Sequence, residues 1–206
     1  MTNSQQNLLQ ECLSLSLLKG ENIDSSAHIM TIFSIALQIK AKRILELGVR
    51  EGYTSSPLLL AASLCDGKLT SVDIEKTRWT PPNDLGTHYE FVLSDSIRFL
   101  EKQEGKYDLI LIDDWHTYKH VSKELELCEG LVDENSIILL HDLMAHTFPK
   151  YFLPETPNYD GTEWEGGGPY RAVKELDADK WEWATIPVCH GLTILRKKHS
   201  NRCATS

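Results

Sequence analysis

The sequence contains no Cys-x-x-Cys pair, no internal repeat and no apolar run near the roughly 18 residues that a membrane helix requires. Its five cysteines, Cys12, Cys65, Cys128, Cys189 and Cys203, are odd in number and scattered. That pattern argues against a disulfide framework or a zinc knuckle and leaves reduced thiols as the simplest expectation. Positive charge is also scarce: 21 Lys and Arg stand against 30 Asp and Glu, for a net charge of -9. A nucleic-acid groove needs a basic face, so nucleic acid is not an expected partner. The N-terminus, Met1-Thr-Asn-Ser-Gln-Gln, lacks the charged-then-apolar order of a secretory leader, and a cytoplasmic protein without membrane partners is expected.

Within 206 residues that are 41% hydrophobic there is enough apolar mass for one well-filled domain. Helical spacing of apolar residues over 8–18 and 27–39, with Ser25 or Ser26 as an N-cap, predicts two N-terminal helices within residues 1–40. Residues 41–198 then alternate. Apolar runs at 43–47, 68–73, 107–113 and 136–142 each end in an acid and read as strands, with a further strand at 89–93. Residues 53–64, 94–102 and 118–128 read as helices between them. Strands alternating with helices imply right-handed crossovers and a parallel sheet. Residues 144–169 break the pattern with aromatics, four prolines and three consecutive glycines, which suggests an ordered active-site loop or lid. A helix at 170–176 follows, and 181–188 with 191–196 form a terminal hairpin around Cys189-His190-Gly191. Residues 199–206 read as a disordered tail.

The densest signal is Glu46-Leu47-Gly48-Val49-Arg50-Glu51-Gly52-Tyr53-Thr54, where an apolar strand ends in an acid and a glycine turn opens a helix. Gly48 permits a tight turn, Gly52 lets a ligand approach without a Cβ in the way, and the free amides of the first helical turn face that ligand. A dinucleotide fingerprint requires G-x-G-x-x-G, whereas this chain has Arg50 between its two glycines. The acid at 46 suits a cationic ligand better. Asp73 ends the second strand in the position of a ribose-binding acid, with a helix cap or turn acid as the alternative. Asp95 and Ser96 follow the third strand and read equally as a helix cap.

The order E-L-G-x-x-x-G-Y-T, S-V-D, S-D-S, I-D-D-W-H and L-H-D resembles class I S-adenosylmethionine (SAM) methyltransferases. It is most similar to the small catechol-type and related bacterial O-methyltransferases. The resemblance spans roughly residues 43–197. It implies an α/β, Rossmann-like, doubly wound and mostly parallel seven-stranded sheet closed by an antiparallel hairpin. It further implies a SAM pocket formed by Glu46, Leu47, Gly48, Gly52, Tyr53, Thr54, Asp73, Ile74, Asp95, Ser96, Asp113 and Trp115, with Glu46 and Thr54 at the methionine end. His116 takes the general-base position beside Asp113, although a histidine at a strand–helix junction also serves as an ordinary hydrogen-bonding group. Asp113 and Asp142 match metal-binding carboxylates for magnesium. Leu143 replaces the family's asparagine, and His141 as third ligand points to manganese or iron. The alternative is two acids without a metal.

The implied activity is methyl transfer to a hydroxyl of a small-molecule acceptor. Two other readings share the architecture: a nicotinamide- or nucleotide-dependent enzyme, and a non-catalytic SAM-binding module. The N-terminal helices either cover the acceptor site or form a homodimer contact.

Overall fold

The computed structural model describes residues 1–17, 25–144 and 168–199. Of the loop expected over 144–169, residues 145–167 lie outside the described residues, as does the tail from 200.

Seven strands form one sheet: β1 (Arg43–Leu47), β2 (Lys68–Asp73), β3 (Tyr89–Leu93), β4 (Leu109–Ile112), β5 (Ile137–His141), β6 (Trp181–Ile186) and β7 (Leu192–Lys197). Their spatial order is β3-β2-β1-β4-β5-β7-β6. The first five are parallel, and β7 runs antiparallel between β5 and β6, as the terminal hairpin predicted. From β1 the chain winds outward through β2 and β3, then returns to β4 on β1's other side. Strand order therefore reverses between β1 and β4, where open α/β sheets bind ligands beyond the strand carboxyl ends.

The strands read as continuous apolar runs because both faces of the sheet are covered. In β4, Leu109 and Leu111 join Ile44, Leu69 and Leu139 in one core, whereas Ile110 and Ile112 join Leu45, Leu47, Ile138 and Leu140 in the other. Helices α1 (Asn3–Ser16), α2 (Ile29–Gln38) and α3 (Ser55–Leu64) close the first core. Helices α4 (Ser96–Leu100), α5 (Tyr118–Leu131) and α6 (Gly168–Lys174) lie on the other face, where Leu100, Val121, Leu125 and Val173 enter the second core.

The N-terminal helices pack on α3, so every residue of α3 from Ser55 to Ser63 is buried. Gln5 Nε2 donates to Ser63 O and Oγ at 3.3 Å, and Ser56 Oγ donates to Glu11 Oε1 at 3.1 Å. The expected serine cap of α2 is absent: Ser25 makes no capping hydrogen bond, and a short 3-10 turn at Ser26–His28 feeds α2 instead. The capping box is on α1, where Thr2 and Gln5 bond each other's backbone amides, thereby satisfying two of the helix's orphan donors. No described helix is long and apolar enough to cross a membrane.

Candidate active site

The β1–α3 turn is shaped by two glycines with positive φ, Gly48 at 89° and Gly52 at 77°, and by Arg50 at 46°. At Gly48 a Cβ would sit 2.2 Å from Asp113 O, so a glycine is needed for the turns after β1 and β4 to touch. At Gly52 the space predicted for a ligand holds protein instead: a Cβ would lie 2.2 Å from Trp79 Cγ. Trp79 in turn donates its indole N–H to Ser56 Oγ at 3.2 Å. No sequence pattern points to this ring, because the segment between β2 and β3 has no regular period.

Glu46 is fully buried beneath the turn and accepts hydroxyls from Thr54 and Ser55 at 2.7 Å each and from Ser71 at 2.5 Å. Burial pushes its carboxyl up to about 7, even though the three hydroxyls favour the charged form. Glu46 and Thr54, expected at the methionine end, thus bond each other, and neither lines the cavity described next; Leu47, Gly52 and Tyr53 are also outside its walls.

A cavity of about 480 Å³ opens at the strand reversal, lined by Gly48, Asp73, Ile74, Asp95, Ser96, Asp113, Asp114 and Trp115, with Arg50 and His120. Ile74 is 71% exposed and Trp115 is 43% exposed. Apolar surface of that size on a cavity wall suits a flat ring. Asp73 holds the turn itself: Oδ2 accepts from Val49 N at 2.8 Å and Arg50 N at 3.2 Å, and Oδ1 accepts from Glu75 N at 2.8 Å. Asp95 Oδ1 caps α4 through Arg98 N at 3.0 Å, the cap role that its sequence context allowed.

Asp113 also belongs to a second constellation behind the cavity. His116 Nε2 lies 3.5 Å from Asp113 Oδ1 and 3.1 Å from Asp142 Oδ2. His141 Nδ1 lies 3.3 Å from Asp113 Oδ1 and 3.1 Å from Asp142 Oδ1. Two further histidines, unassigned from sequence, join them. His190 Nδ1 is 3.3 Å from Asp142 Oδ1, and the His28 ring meets His141 edge-on at 5.4 Å. Both arrive by tertiary structure alone, His28 from the start of α2 and His190 from the β6–β7 turn. Asp142, Cys189 and His190 all adopt positive φ, a cost of order 1–3 kcal/mol each that the surrounding contacts must hold in place.

The electrostatics of this group are coupled. Burial would lower both His116 and His141, but Asp113 and Asp142 outweigh it and raise both above the ordinary histidine value. Burial would likewise raise Asp113 and Asp142, and the His141 charge overrides it, holding both carboxyls below the usual range. Ligand atoms of Asp113, His141 and Asp142 lie within 4.8 Å of one another, and among the described residues His141 Nδ1 and Asp142 Oδ1 have no hydrogen-bond partner. Two carboxylates and one imidazole fit a divalent cation of the manganese or iron type better than an all-oxygen magnesium cage.

Arg171 pairs with Glu175 at 2.8 Å and stacks on the Tyr118 ring at 4.1 Å.

Residues 45–143 match a family described as "Methyltransferase domain". No curated protein matches the chain. Among solved structures, the SAH-bound Podospora anserina methyltransferase PaMTH1 is 16% identical with a TM-score of 0.58, over 97% of this chain and 89% of that one. The SAM-bound O-methyltransferase TomG of Streptomyces achromogenes, involved in tomaymycin synthesis, is 14% identical with a TM-score of 0.61, over 97% and 91%. MycE methyltransferase of the mycinamycin biosynthetic pathway, in complex with Mg, SAH and mycinamycin VI, is 14% identical with a TM-score of 0.66, over 100% of this chain and 57% of that one. The chain is thus similar to a methyltransferase domain over residues 45–143 and has a class I SAM-dependent O-methyltransferase-like fold.

Proposed function

We propose that the protein transfers a methyl group from SAM to a hydroxyl of a small-molecule acceptor. One observation carries this reading: Asp113 lines the cavity at the strand reversal and also contacts His116 and His141 in the buried constellation behind it. A donor seated over the Gly48 turn is thereby brought against a proton acceptor. Asp73 faces the ribose, Ile74 and Trp115 flank the adenine, and Asp95 and Ser96 close its edge. Solved relatives with SAM or SAH bound support the choice of cofactor.

The chemistry is a direct displacement. The acceptor oxygen forms a bond to the methyl carbon as the carbon–sulfur bond breaks, sulfur keeps the electron pair, and the acceptor proton passes to the His116 imidazole. Positioning supplies the larger share of the rate, since holding two reactants in line removes the entropy of encounter. A divalent cation held by Asp113, Asp142 and His141 would lower the acceptor pKa. His116 is oriented for its task by Asp113 and Asp142, whose charges also stabilise the imidazolium that forms.

Methyl-labelled SAM, supplied with magnesium or manganese and a panel of catechols, sugars and polyketide-like alcohols, tests the reading. Label should appear on oxygen. His116→Ala should lower turnover by about 10²–10⁴-fold while SAH binds as before. Unchanged turnover would remove His116 from the mechanism, and label found only on nitrogen or carbon would overturn O-methylation.

A further inference from the structure

The opposite side of the β4–α5 turn carries a second ionisable group that the methyl-transfer reading does not use. His120 and Glu124 are one turn apart on α5 and therefore project from the same face. The turn brings Asp114 to them, and Ser96 at the start of α4 completes the group. His120 Nε2 lies 3.3 Å from Asp114 Oδ2, 3.4 Å from Glu124 Oε1 and 3.0 Å from Ser96 Oγ. One imidazole nitrogen carries at most one proton, yet three oxygens crowd it.

Glu124 has no exposed surface. Among the described residues neither of its carboxylate oxygens has a hydrogen-bond partner, and Asp114 Oδ1 has none either. Leaving buried carboxylate oxygens unmatched is costly, and such groups call for an ion or a proton. The spacing distinguishes the two. Four donors placed tetrahedrally about 2.0–2.1 Å from zinc are separated by about 3.3–3.4 Å, longer than a good charge-assisted hydrogen bond of about 2.7–2.9 Å. His120 shows the longer separation from both Asp114 and Glu124, and the ligand atoms of all three lie within 4.8 Å of one another.

We propose that Asp114, His120 and Glu124 form a binding site for a zinc-type divalent cation, separate from the Asp113 constellation. One imidazole with two carboxylates is a donor set that zinc accepts as well as manganese or iron, and the two negative charges match the ion's charge. The group borders the cavity, whose wall includes Asp114, Ser96 and His120. The ion ties the first turns of α5 to the segment carrying Asp113, Trp115 and His116. It therefore acts on the geometry of the methyl-transfer site without touching the acceptor.

The test uses the full chain, freed of metal by chelation and titrated calorimetrically with zinc chloride. Asp142→Asn serves as background, to weaken zinc binding at the Asp113 constellation. That variant should still take up about one equivalent of zinc and give strong visible bands when cobalt(II) is substituted. Adding His120→Ala should weaken the uptake beyond the roughly 100-fold that loss of an outer-shell partner costs. Because His120 is partly exposed, this change should be tolerated by the fold; Glu124→Gln, nearly the same shape, gives the same comparison if it is not. Zinc uptake indifferent to both substitutions would overturn the site. So would no uptake at all, the three groups then sharing a proton.

Discussion

Among single residues, Glu46 sits fully buried under three hydroxyls, whereas Asp113 and Asp142 draw in His116, His141 and His190. Glu46, Asp73, Asp113 and Asp142 stand at strand ends in the sequence, yet only the folded chain shows that Glu46 serves three hydroxyls while Asp113 and Asp142 share histidines. His28 and His190 were invisible for the same reason: no local spacing links the start of α2 or the β6–β7 turn to the residues they meet. Glu46 yields a pH prediction. Its carboxyl rises from 4.5 to about 7, mainly through burial, so the folded state favours the protonated form. That contribution is fully present below 4.5 and is lost as pH rises through about 7. Denaturant unfolding at a series of pH values should therefore show wild type losing about 3 kcal/mol relative to Glu46→Gln across this window. Parallel stability curves would mean that Glu46 is not held protonated.

At the scale of elements, β1, β2, β4 and β5 were readable because a strand buried on both faces needs a continuous apolar run. Against the expected 107–113 and 136–142, β4 is three residues shorter and β5 two, and at their carboxyl ends the terminal acids leave the ladder to reach the site. Helix starts were less legible. The serines before α2 resemble caps, but the 3-10 turn at Ser26–His28 directs His28 into the histidine group instead. Gly52 shows why a motif glycine is ambiguous, since the room it provides is taken by Trp79. Gly52→Ala should destabilise the fold by about 2–4 kcal/mol, combining positive-φ strain with overpacking. Gly86→Ala, with nothing within 4 Å of its Cβ, should be close to neutral, and chemical denaturation of both measures the difference. Equal stabilities would show that Trp79 moves aside freely.

At the scale of the whole molecule, the sequence was sufficient for the sheet because right-handed crossovers and a closing hairpin leave few topologies. It did not choose between uses of the N-terminal helices; the fold lays them on α3, which is why α3 is apolar nearly all round. The cavity at the strand reversal unites these elements, and a SAM-type ligand above Gly48 is the claim on which the mechanism depends. Thermal unfolding with SAH, and separately with NAD, tests it most directly. At a hundredfold excess over Kd, SAH should stabilise the protein by about 2.7 kcal/mol, a rise in Tm of roughly 5–10 °C, with no rise from NAD. Stabilisation by NAD alone, or by neither ligand, would contradict the account.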